Sequence, residues 1–143
     1  MTEVNGPRLA YRGLVAGLAA GWVWLAITLA GLLATGVDPL HLVQPLARDA
    51  AWAAVGAVAL AQVGAGLAGV LFAYFFGRYF TVRATLAVSA TVFALLAWLA
   101  VADVAGAETL RWSVQVVLGV AALAYGAMLG TAVPIRGEVL RQP

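Results

Sequence analysis

The side chains able to do chemistry are few, and most lie outside the apolar runs of the chain. A single histidine, His41, falls between Asp38 and Asp49. One imidazole and two carboxylates are metal-ligating types. Here they are spread along a connection broken by Pro39 and Pro45, and solvated loop charges explain them more simply. Asp103 and Glu108 are read the same way. No serine–histidine–acid set, phosphate-binding glycine loop or pair of carboxylates can be assembled around a substrate. There is no cysteine, which excludes disulfides, thiolate metal sites and cysteine nucleophiles. No catalytic residue, metal site or cofactor is expected.

Within the apolar runs, Gln62 and Gln115 are the most polar side chains. An amide in hydrocarbon needs a partner, so interhelical contact is the simplest reading and a polar pathway the sharper one. Trp22 and Trp24 lie mid-run, where an indole N–H wants an acceptor. Packing explains them best, and contact with a hydrophobic ligand is the alternative. Arg78 and Arg83 flank the aromatic-rich end of the second run and are candidates for lipid headgroup contact. No Asp, Glu, Arg or His lies inside a run, which disfavours proton relays, ion-coupled carriers and voltage sensors. Met128 is the only methionine in a run, and no histidine is there to hold haem.

These residues are positioned by four stretches without charge: Gly13–Val37, Ala50–Gly77, Ala84–Ala102 and Trp112–Ile135. The shortest would reach roughly 29 Å as a helix, close to the ~30 Å hydrocarbon thickness of a bilayer. With 64% apolar and 10% charged residues, and a mean hydropathy of +1.00, the chain is matched to lipid. It is read as one transmembrane domain, 1–143, with helices at about 12–36, 50–77, 82–102 and 110–133. The expected fold is an all-α, up-down-up-down antiparallel bundle of four transmembrane helices. Asp38-Pro39 is a good helix start, so a short interfacial helix is expected between helices 1 and 2, and Asp49 is expected to cap helix 2. The first run is longer than the apolar core of a signal peptide and is read as a retained helix.

Arginine distribution orients the bundle. Arg8, Arg12, Arg78, Arg83, Arg136 and Arg141 fall on one side, and Arg48 and Arg111 on the other. Six against two, in short segments, is the positive-inside pattern, which places both termini in the cytoplasm. Trp52, Trp98 and Trp112 mark the outer aromatic belt; Tyr11, Tyr74, Tyr79 and Phe80 mark the inner one. The same topology accounts for the basic character without nucleic acid. All eight basic residues are arginine, as in a GC-rich bacterial genome, and the cell inner membrane is the expected location.

Small residues recur at four-residue spacing: Gly13, Gly17 and Gly21 on helix 1; Ala57, Ala61, Ala65, Gly69, Ala73 and Gly77 on helix 2; Ala122, Gly126 and Gly130 on helix 4. Such stripes let backbones approach, and close packing is what holds helices together in lipid. Helix 3 shows fewer and is expected to face lipid more. The segments after Gln62-Val63 and Gln115-Val116 repeat their glycine spacing (Gly66, Gly77; Gly119, Gly130), as a two-helix duplication would leave.

The Gly13–Gly21 segment, Gly36-Val37-Asp38-Pro39-Leu40 and the glycine/aromatic ends of helices 2 and 4 resemble a broad group of small four-span bacterial inner-membrane proteins with no assigned activity. Several of that group carry histidines where this chain has Gln62 and Gln115, so the resemblance implies no histidine function here. Taken together, the expectation is a non-catalytic helix bundle in the lipid bilayer, an accessory or structural subunit contacting other membrane subunits or itself. The alternatives are an oligomeric small-solute channel or transporter, and a subunit binding lipid, quinone or pigment.

Overall fold

Proline, glycine and short polar side chains set the helix ends. The computed structural model describes residues 6–40, 49–77, 79–104 and 110–134. Four helices lie within them: α1 (Gly6–Ala34), α2 (Ala50–Phe76), α3 (Arg83–Val104) and α4 (Trp112–Ala132). No strand occurs among the described residues. Each helix is long and apolar enough to cross a membrane, making this a multi-pass membrane protein. Large apolar side chains such as Leu33, Leu60, Val88 and Leu96 point outward, as lipid requires and water would not allow.

Helix α1 starts six residues before the expected position. Arg8 and Arg12 end the charge-free run but not the helix, since arginine is a good helix former and its long side chain reaches the interface. At its other end Gly36 takes φ +70°, which glycine adopts without steric cost. Val37 N–H then donates to Leu32 O (3.0 Å) and Gly36 N–H to Leu33 O (3.1 Å), closing the helix in a Schellman motif. The Thr35 hydroxyl donates to Leu32 O at 2.9 Å, satisfying the same carbonyl end.

Asp38 Oδ1 accepts Leu40 N–H at 2.9 Å, and Pro39 and Leu40 are helical. The remainder of the expected interfacial helix, with His41, lies outside the described residues. Asp49 caps α2, its Oδ1 accepting Ala51 N–H at 2.8 Å. Helix α4 ends at Ala132 because Val133 is extended before Pro134.

Helix α1 packs along both α2 and α4, and α4 packs along α3. Helices α2 and α3 scarcely meet. Their link is aromatic: Phe93 of α3 stacks near Phe72 (5.6 Å between centroids) and Phe76 (6.3 Å) of α2. The core gathers Ala16, Ala20, Phe72, Leu86, Ala90 and Leu129, small residues at the close approaches and large ones between them. Helices α1 and α4 are the most enclosed, and α2 and α3 are equally outlying.

Candidate functional site

Helices α1 and α2 approach closely. A Cβ on Gly13 would strike the Gly69 carbonyl and Ala73, one on Gly17 the Ala65 carbonyl, and one on Gly69 the Gly13 carbonyl. Only hydrogen at these positions lets the backbones touch, and the gain is dispersion over many atom pairs. One turn on, a Cβ at Gly21 would lie 2.7 Å from the Ala65 Cβ and 2.9 Å from Gln62 Oε1.

The second pair is built alike. A Cβ on Gly126 would lie 2.5 Å from the Thr91 Cα, and one on Gly130 would meet the Ala87 backbone. Helix α3 thus contributes its own small stripe, Ala87, Ala90 and Ala94, which an alanine-rich background hides in the sequence. Gly77 lies where a Cβ would come 3.5 Å from Val133, and its N–H donates to Ala73 O. Gly31 of α1 seats Val117 of α4, joining the two pairs.

Joining the pairs this way leaves a seam between α2 and α3. It holds an apolar groove of about 200 Å³. Ala61, Gly64, Ala65 and Ala68 form one wall, and Phe93, Ala94, Ala97, Trp98 and Val101 the other. Trp24 of α1 with Ala122 and Tyr125 of α4 make the back. The Tyr125 hydroxyl donates to Ala65 O at 2.7 Å across the back of the groove. That bond satisfies the phenol in lipid and ties α4 to α2. Small residues open the groove, and aromatic rings give it flat, polarizable faces. Its described lining suits apolar matter.

The sequence candidates fall as follows. Trp24 lines the groove, whereas Trp22 is 60% exposed on the outer surface, so the two do not share a site. Trp98, placed in the outer belt on sequence, lines the groove; Trp52 and Trp112 are exposed as belt residues are. Both Gln62 amide atoms are buried with no hydrogen-bond partner. The Gln115 amide donates to Leu110 O at 3.0 Å, a bond local to the start of α4. The Tyr125–Ala65 bond puts residue 125 level with residue 65. Gln115 is therefore about 15 Å along α4 from that level. Arg83 donates to the Thr131 carbonyl near the end of α4, where a cation also meets the negative pole of the helix dipole. Arg78 lies outside the described residues. Asp38 and Asp49 are both used as helix-start acceptors. No group of three or more metal-ligating side chains occurs among the described residues.

Tyr125 is the residue that reading the sequence missed. A phenol in the middle of an apolar run was the available signal, because in hydrocarbon its hydroxyl, too far out to reach its own backbone, must find an acceptor on a neighbouring helix. No protein-family model, curated protein or solved structure matches this chain.

Proposed function

We propose that this protein is a non-catalytic membrane helix bundle that acts by binding apolar partners within the bilayer, as an accessory subunit of a larger membrane assembly. The unclosed α2–α3 seam carries this reading. Two tightly packed helix pairs would gain dispersion contacts by closing it, yet small residues of α2 stand opposite the rings of Phe93 and Trp98 on α3 with a space between them that fits a guest. Two polar groups nearby are engaged in structural bonds, Tyr125 with Ala65 O and Thr91 with Ala87 O. We propose further that the bundle runs up-down-up-down. Gly13 lies against Gly69 and Ala73, while Gly21 lies against Ala65 and Gln62, which supports opposite directions for α1 and α2. Gly126 against Thr91 and Gly130 against Ala87 repeat the relation for α3 and α4. The arginine distribution supports a bacterial inner membrane with cytoplasmic termini.

The test places a photocrosslinking amino acid at Ala61 or Val101, on opposite walls, in cells. A second membrane protein captured at both positions, and co-purified in mild detergent, supports the reading. A lone monomer that captures only bulk lipid overturns it. A second reading, a hydrophobic ligand in the same groove, is favoured by the rings of Trp24, Phe93 and Trp98. Mass spectrometry of the purified particle separates the two: a stoichiometric small molecule lost in a Trp98→Ala variant selects the ligand.

A further inference from the structure

A second depression lies at the end of the bundle where α1 begins and α4 finishes. It is a pocket of about 480 Å³ lined by Tyr11, Arg12, Val15, Ala16 and Ala19 of α1 and by Ala132 and Pro134 after the last turn of α4. Its lining is graded. Tyr11 and Arg12 supply a hydroxyl and a guanidinium nearer the start of α1, and Val15, Ala16 and Ala19 further along it are apolar. On α1 these positions follow helical spacing, so Arg12, Val15, Ala16 and Ala19 share one face, with Ala19 about 10 Å further along the axis. Arg8 sits one turn nearer the helix start on the same side and is exposed. Arg83 adds a third cation at this end through its bond to Thr131, next to Ala132 in the pocket wall.

From this gradient we infer that the pocket binds one anionic phospholipid. The phosphate would take the Arg12 guanidinium and the Tyr11 hydroxyl, and one acyl chain would run along Val15, Ala16 and Ala19. Charge complementarity selects the head: Arg8, Arg12 and Arg83 gather at one end of the bundle, and on this side of the topology the sequence holds six arginines against Glu3 and Glu138. Guanidinium suits phosphate because its fork matches two oxygens at once. The apolar depth selects a tail and so distinguishes a lipid from a soluble phosphate. The site is separate from the α2–α3 groove and stands whether or not the chain has protein partners.

The test is native mass spectrometry of the full chain released from bilayers holding equal phosphatidylglycerol and phosphatidylcholine. The wild type should retain one phosphatidylglycerol in preference to phosphatidylcholine. Arg12→Gln should lower that occupancy about fivefold, the effect of one arginine at a charged surface. Arg12→Lys should keep part of it. Ala19→Trp, which leaves the charge and fills the exposed floor, should lower it as well. Arg111→Gln, at the opposite end of α4, should not. Helix content and a single gel-filtration peak show whether each variant folds, and Ala19→Trp decides the matter if Arg12→Gln does not. Unchanged retention in both pocket variants, or equal retention of the two lipids, overturns the inference. So does displacement of the lipid by free glycerol phosphate, which would make the site one for soluble phosphate. The composition of the native complex is read in a separate experiment, so either idea can fail alone.

Discussion

At the scale of single residues, what matters most is the absence of side chain at a few places. Gly69 and Gly56 lie on the same helix, yet a Cβ on Gly69 would strike the Gly13 carbonyl while one on Gly56 would meet nothing within 4 Å. Gly69→Val is expected to destabilise the bundle by about 2 kcal/mol through overpacking. Gly56→Ala is expected to stabilise it by roughly 0.5–1 kcal/mol by stiffening the backbone. Reversible unfolding in bicelles measures both, and equal effects would mean that α1 and α2 are not in contact. Gln62 gives an opposite case, because its amide atoms are buried without partners. Gln62→Leu should raise stability by about 1–2 kcal/mol, since an unmade hydrogen bond is removed. A loss of stability would reveal that the amide has a partner in the membrane. Glutamine in an apolar run is easy to notice in a sequence; which of two glutamines is enclosed depends on what faces it.

At the scale of elements, the bundle is two helix pairs joined along α1 and α4. The stripes of Gly13, Gly17 and Gly21 and of Ala65, Gly69 and Ala73 are legible because glycine is conspicuous. The stretch of α3 that faces Gly126 and Gly130 of α4 is not, since Ala87 and Ala90 look like any other alanines in an alanine-rich chain. The α2–α3 link is aromatic instead, with Phe72 fully enclosed and its ring 5.6 Å from that of Phe93. Phe72→Ala should cost about 2 kcal/mol, the cavity part of the loss, because lipid surroundings are apolar in either state. The same variant should widen the seam and raise labelling of Ala61→Cys by a membrane-soluble thiol reagent. Unchanged labelling would show that the rings do not hold α2 and α3 together.

At the scale of the whole molecule, Arg12 and Arg83 come to one end and Arg111 to the other. A reporter fused after Pro143 should be active only in the cytoplasm, and activity confined to the periplasm would reverse the orientation. Composition and run length by themselves determined the solvent, the number of spans and the sorting of charge. Those follow from the cost of placing backbone and charge in lipid, which is paid residue by residue and does not depend on neighbours. Which helices touch, that α2 and α3 stay apart, and that Trp24, Trp98 and Tyr125 meet around one groove were decided only by the tertiary structure. In a bilayer every helix surface is apolar, so hydrophobicity cannot choose partners. The choice falls to shape, and shape exists only once the backbones have come together.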